Sequence, residues 1–338
     1  DKKTIPVNRV LGLINWNRKN DEWGLSTGGL ELRNLDLKVQ LSGNIKKFAD
    51  KNSPFIDVIA HIGESNLEYI SEHMPYTPRF KFRNWMRRSV LGGKLISANA
   101  LFRGYISDFP FDENNGRFKL IVDATNATLD YSAFWPPVDN IDAEVIIDGR
   151  EMQANIRNGD IYNARITSAK ASMADIFSKK KSITIGGQIK GVTKDLSLFI
   201  RQSPLQKDPG LTEISRSFLS GDIALDLDMI IPIKQPEKKL EVTGNIKLSN
   251  TALKSSIKNL QLDNVEGDVN FTHYSVNSDL LSGSFHYNPV NLIIAGDKSD
   301  PDNHPSIKII GMANEQFVAD RLIEYFPALK SFEHYVLQ

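Results

Sequence analysis

Few residues of this chain could do chemistry, and their spacing argues against most of the chemistry they suggest. Gly24-Leu-Ser26-Thr-Gly28 has the Gly-x-Ser-x-Gly spelling that lifts a serine nucleophile onto a sharp strand-to-helix turn. Gly29-Leu-Glu-Leu32 follows it, an alternation that reads as strand, so the elbow has no helix to open onto. The six histidines, at 61, 73, 273, 286, 304 and 334, include no His-x-x-x-His pair and no helical metal spacing. His286, within Phe285-His-Tyr287, is expected to face water. Asp297-Lys-Ser-Asp-Pro-Asp302 is acidic enough to suggest calcium but lacks the glycine and the closing glutamate of an EF-hand loop, and it reads as a polar turn. No phosphate-cradling or dinucleotide-binding glycine pattern precedes a helix. With no cysteine, thiol catalysis, disulfides and thiolate-bound metal are excluded. Nothing nominates a nucleophile, a general base, a metal or a cofactor, so the chain reads as a binding or conducting protein and not an enzyme.

Charge narrows the partners. Lys plus Arg (41) equals Asp plus Glu (41), so there is no net field to gather nucleic acid. The longest apolar runs, such as Met229 to Ile233 and Leu292 to Ala295, fall far short of the roughly 20 residues of a membrane-spanning helix. No signal peptide begins the chain and Asp1 has no methionine before it, so residues 1–338 are expected to be an internal segment of something longer.

The elements that must position any site are mostly strands. Leu30-Glu-Leu32, Leu35-Asp-Leu37, Phe55 to Ile62, Arg117 to Val122, Ile141 to Ile147, Met152 to Ile156, Ala164 to Ala171 and Ile183 to Ile189 alternate or are rich in β-branched residues. Asn114-Asn-Gly116, Asp148-Gly149 and Asn158-Gly-Asp160 carry hairpin turn chemistry between them. Ser203 to Arg216, with Pro204, Pro209 and Gly210, reads as a loop or hinge at 203–216. Short helices are expected at about 66–73, 82–91 and 314–329, the second closed by a left-handed turn at Gly92-Gly93. Arg79 to Lys94 holds Arg79, Lys81, Arg83, Arg87, Arg88 and Lys94 with no acid, interleaved with aromatics such as Trp85. Such a helix either packs on the sheet with a solvated basic face, or contacts a membrane surface or a partner through Arg83, Trp85, Arg87 and Arg88.

A repeat follows residue 218. Leu219-Ser-Gly-Asp-Ile-Ala-Leu225, Val242-Thr-Gly-Asn-Ile-Lys-Leu248 and Val265-Glu-Gly-Asp-Val-Asn-Phe271 place glycines 221, 244 and 267 at intervals of 23 residues. Side chains alternate across a strand, so each glycine shares the face of the apolar residues around it. Leu225, Val242, Gly244, Ile246, Leu248, Val265, Gly267, Val269 and Phe271 are therefore the candidates for an apolar groove, with a bulge that bends the sheet as the structural alternative. The same period would suit a rung of a parallel β-helix, against which the hairpin chemistry argues.

The stretch from Glu68 to Gly149 carries a more specific signal. It reads Asn84-Trp-Met-Arg-Arg-Ser-Val-Leu-Gly-Gly93, then Asp108-Phe-Pro-Phe111, Gly116-Arg-Phe118, Leu129-Asp-Tyr131 and Trp135-Pro-Pro137. In this order these motifs resemble the YhdP-like branch of the AsmA-like family, to which TamB is related. The family often has Tyr-Leu-Pro where Tyr69 and Pro75 here are separated by Ile-Ser-Glu-His-Met.

The resemblance implies a mainly-β fold, an elongated and strongly curved antiparallel sheet forming a groove, with two or three short helices. It further implies a periplasmic segment of an inner-membrane-anchored protein of Gram-negative bacteria, with the anchor outside this chain. The expected role is shielding phospholipid or another diacyl lipid on its way from inner to outer membrane, in support of the outer-membrane barrier and with membrane-protein partners. A periplasmic β-scaffold with a filled core and no lipid is the alternative.

Overall fold

The computed structural model describes residues 7–73, 80–207, 209–235, 237–254, 260–273, 275–296 and 306–311. Among them are nineteen strands of antiparallel sheet and four short α-helices. The helix expected at 314–329 and the acidic loop 297–302 lie outside the described residues.

The first strands are β1 (Arg9–Gly12), β2 (Asn15–Lys19), β3 (Glu22–Arg33), β4 (Lys38–Lys47), β5 (Phe55–Ile62) and β6 (Ser65–Asn66). Helices α1 (Leu67–His73) and α2 (Phe80–Ser89) lead into β7 (Val90–Tyr105), β8 (Arg117–Leu129), β9 (Val138–Asp148), β10 (Glu151–Ile161), β11 (Ala164–Met173) and β12 (Lys181–Val192). Then come α3 (Thr193–Arg201), α4 (Pro209–Ser217) and strands β13 (Phe218–Ile233), β14 (Glu241–Lys254), β15 (Gln261–Thr272), β16 (Val276–Ser278), β17 (Leu281–Phe285), β18 (Asn288–Ala295) and β19 (Ser306–Gly311). The chain packs as two compact units, one of residues 1–161, 166–187 and 230–239, the other of 162–165, 188–229 and 240–338.

In the first unit, β1 and β2 pair with successive parts of β3, and β3 to β10 then pair in series, with β5 and β6 both on β7. In the second, β14 pairs with β15, β15 with β16 and β17, and β18 with β16, β17 and β19. All of these pairings are antiparallel, which excludes the parallel β-helix. Turn chemistry sets the hairpins: Gly149 takes φ 58° in the two-residue β9–β10 loop, and His286 and Tyr287, with φ 48° and 70°, form the β17–β18 loop. His286 thus sits at a turn tip rather than along a strand.

Several local expectations change. Asn158-Gly159-Asp160 is no turn: it lies inside β10 at a register shift, and the chain reverses at Tyr162, φ 55°. A β-carbon on Gly159 would make only ordinary contacts, the nearest with Val138 Cγ1 at 3.4 Å. Gly92 and Gly93 do not cap a helix, because β7 has already begun at Val90; Gly93, φ 116°, sits where its strand presses on the Ala127 backbone. The segment 203–216 is largely helical instead of a loop, with Pro209 at the first position of α4, where its missing N–H costs nothing. Helix α3, which no expectation covered, has Asp195 in its first turn and Arg201 in its last, each suited to the dipole end it occupies. Gly24 to Gly28 lies within β3, which is strand on both sides of the serine.

Candidate functional site

Residues paired directly across antiparallel strands point to the same side of the sheet, so register assigns the faces. In the first unit, Val39, Leu41 and Ile45 of β4 lie opposite Ile62, Ala60 and Ile56 of β5. Val58, Ala60 and Ile62 lie opposite Phe102, Ala100 and Ala98 of β7, which face Phe118, Leu120 and Val122 of β8. Leu120 and Val122 meet Ile147 and Val145 of β9, and these meet Met152 and Ala154 of β10. Six strands thus share a face on which none of these residues is polar. The other face carries Gln40, His61 and Asn99, and Asp57, Arg103 and Arg117, interrupted by Ile59, Leu101, Ile121 and Ile146.

This apolar face is only half covered. Of the residues just named on it, Ala98 alone is buried, and the rest keep part of their surface accessible. Aliphatic side chains left in that state forgo stabilisation of about 25 cal/mol per Å² of exposed apolar area, so the face is ready to gain from an apolar occupant.

Two structures bound the face along its strands. At one end the 106–116 loop brings Phe109 and Phe111 to Phe102, with ring centroids at 5.9 and 5.3 Å, and Phe118 lies 5.5 Å from Phe109. Phe177 adds an edge contact to Phe109 at 5.3 Å. Arg150, in the β9–β10 turn, ties these loops together: its guanidinium donates to Asp112 at 2.5 and 2.6 Å and to both oxygens of Asp175 at 3.0 and 3.1 Å. Hydrogen bonds from Arg150 hold the Asp112 carboxyl below its usual range, and Asp112 and Asp175 together raise the guanidinium further.

Toward the other end runs a line of irregularities. The β7–β8, β8–β9 and β9–β10 pairings all shift register there, and Asn126 and Asn140 take φ 50° inside their strands. Each such bulge kinks its strand and adds twist, and asparagine tolerates the left-handed backbone that it needs. Asp142 fastens this line. It accepts the Thr125 hydroxyl, the Asn126 backbone N–H at 3.0 Å and the Asn158 amide at 2.6 Å, which bring its pKa down to about 2.

Helix α2 packs beside this region. Its Ser89 is buried, the Trp85 indole donates to the Tyr131 carbonyl at 3.2 Å, and the Asp130 N–H donates to the Ser89 carbonyl at 2.7 Å. Arg87 and Arg88 are exposed, and Arg83 is half-buried.

The groove candidates read from the repeat do come together, in the second unit. Gly244 lies opposite Phe271, Ile246 opposite Val269 and Leu248 opposite Gly267. Their environment differs from that of the first unit, for Val265 is 0% exposed, Ile246 and Leu248 1%, and Phe271 5%. Leu225, Val242 and Val269 are buried as well. The glycines leave no open space: a β-carbon on Gly244 would meet the Phe271 ring at 2.5 Å, and one on Gly267 would meet Leu281 Cδ2 at 2.7 Å. Gly221 and Gly267 take φ 122° and 128°, so bulging and close packing account for two of the repeat's glycines and a covering ring for the third.

Sequence reasoning missed the half-open face. Its signal was present as alternation in β4, β5 and β8, but strand alternation does not tell a covered face from a bare one. It missed also the Thr193, Asp195 and Ser197 side chains that α3 buries, with Asn163 donating to Asp195 at 3.3 Å. On the first unit's polar side an open depression of ≈ 440 Å³ is lined by Leu11, Glu31, Gln40, Ile59 and His61 among others. Among the described residues no group of three or more His, Asp or Glu is placed to hold a metal, and no helix is long and apolar enough to cross a membrane.

Known proteins were compared with the chain. The "Intermembrane phospholipid transporter YhdP" of Escherichia coli (strain K12) is 25% identical over 279 residues, which are 80% of this chain and 22% of that protein. The chain therefore spans about a fifth of the length of this curated relative. No solved structure matches this chain. A family model described as YhdP protein matches residues 2–331, nearly the whole chain, and on that match the chain belongs to the YhdP family.

Proposed function

We propose that this chain shields the acyl chains of phospholipid on an apolar sheet face, as a periplasmic part of a protein that moves lipid from the inner to the outer membrane and so maintains the outer-membrane barrier. The observation that carries the reading is the half-covered face of β4 to β10, apolar across six strands. The name of the Escherichia coli relative supports it. Leaving two acyl chains of about 15 carbons each in water costs on the order of 20 kcal/mol, at about 0.8 kcal/mol per methylene. A continuous face of Val, Ile, Leu, Ala, Phe and Met removes most of that cost without a polar clamp to hold the cargo back. On this reading the chain is no enzyme, its inner-membrane anchor lies elsewhere in the longer protein, and membrane proteins at either end are its partners.

The buried candidates from Leu225 to Phe271 enter the reading as a closed counterpart, touching lipid only when their present covering is displaced. Their burial is also what favours the second reading, a scaffold with a filled core.

Mass spectrometry of organic extracts from the purified chain separates the two. Phospholipid in stoichiometric amount, lost in a folded Val122→Asp, Val145→Asp variant, is the expected result. A folded parent that carries no lipid gives first place to the scaffold.

A further inference from the structure

Helix α2 and the segment after β8 form one small body, held by the Trp85 indole on the Tyr131 carbonyl and by the Asp130 N–H on the Ser89 carbonyl. Tyr131 and Trp135 add a ring contact at 6.5 Å. A tight turn, with the Trp135 N–H on the Ser132 carbonyl at 3.0 Å, leaves Phe134 74% exposed. Leu91, just past the helix, is 54% exposed.

The charge on α2 has one sign, while the 130–137 segment contributes a single acid, Asp130. Lys81, Arg83, Arg87 and Arg88 are the ionisable residues of α2 and none is acidic; Lys94 follows in β7. Arg87 and Arg88 stand in solvent, and among the described residues no carboxylate is within ion-pair range of either. An exposed phenyl ring on a turn costs solubility and serves no packing here. Exposed arginines on a body that also exposes Phe and Leu and is held together by Trp and Tyr are the combination that the interface of an anionic bilayer rewards: apolar groups enter the headgroup layer while the guanidiniums meet phosphate.

We infer that α2 and residues 130–137 dock on the surface of a bilayer carrying anionic phospholipid. The contact is peripheral and salt-sensitive, made by Arg87 and Arg88 through charge and by Phe134 through insertion. It is separate from the apolar face of β4 to β10 and does not depend on that face carrying lipid.

Flotation of the full chain with vesicles tests this, using phosphatidylcholine alone and phosphatidylcholine mixed with phosphatidylglycerol. The chain is expected to float with the mixed vesicles, much less with the neutral ones, and to be released by salt. Arg87→Gln with Arg88→Gln should weaken partitioning about 30-fold, equivalent to ~2 kcal/mol at about 1 kcal/mol per basic residue. Phe134→Ser should weaken it about tenfold. All three positions are exposed, so circular dichroism should be unchanged. A folded parent that stays behind with the mixed vesicles overturns the inference and leaves the surface to a protein partner. Equal flotation with neutral vesicles, or flotation that both variants leave unaltered, overturns it as well.

Discussion

Asn158 donates its side-chain amide to the Asp142 carboxylate at 2.6 Å, across the β9–β10 pairing where β10 shifts register. The same carboxylate accepts from Thr125 and from the Asn126 backbone on β8, so one acidic group secures irregularities in three neighbouring strands. Its pKa falls from 3.8 to about 2 through these donors, Thr125 first. A carboxyl depressed on folding contributes stability above its unfolded pKa and loses it as pH falls toward the folded value. Asp142→Asn should therefore flatten the acid limb of stability between about pH 4 and pH 2. The group is half-buried and keeps part of its surface in water, so the loss at neutral pH should be no more than ~1 kcal/mol. Urea midpoints of the two proteins across that pH range check this; parallel curves would mean that Asp142 is not the group that titrates.

Phe111 fills the space beside two glycines, for a β-carbon on either Gly104 or Gly116 would strike its ring. Phe111→Ala should cost about 3 kcal/mol, as for other large-to-small changes at buried sites. It should also loosen the 106–116 loop. Limited proteolysis between Ile106 and Arg117 reads the second effect, chemical denaturation the first.

Gly221 sits at φ 122° against the backbone of Thr251. Gly221→Ala should destabilise by about 1–3 kcal/mol, because both the backbone angle and the neighbouring main chain oppose a β-carbon. Gly28→Ala, where a β-carbon meets nothing within 4 Å, is the control and should be nearly neutral.

The two apolar faces should answer differently to charge. Ile246→Asp puts a carboxylate where the side chain is 1% exposed and should cost about 4 kcal/mol or prevent folding. Val122→Asp, on the half-covered face, should cost about 1 kcal/mol. Equal costs in thermal unfolding would mean that the face of β4 to β10 is filled in solution.

The strands were legible because their alternation is a property of single segments, and the turn at Asp148-Gly149 because glycine at positive φ has a local cause. The buried partnership of Ile246, Leu248, Val269 and Phe271 was legible for the same reason, since a repeated pattern puts its apolar residues on one side. Burial itself was not. It depends on what lies over a face, and Val122 and Ile246 look alike in one dimension. Pro209 misled because proline marks both a chain break and a helix start; Asn158-Gly-Asp160 misled because turn and bulge draw on the same residues. The Arg150 contacts to Asp112 and Asp175 join positions 38 and 25 residues away, and no local spacing announces them.

The pairing order described for the first unit also has a kinetic consequence. Apart from the two-residue β6, each strand from β3 to β10 finds its partner in the next one along the chain. Apart from the connection from β5 to β7, which holds β6, α1 and α2, the loops to be closed are short, so the entropy cost of each of those pairings is met at once by the hydrogen bonds that it makes. A nascent chain can therefore add strands in the order in which they emerge, each new hairpin templating on the last, without waiting for a distant segment to arrive.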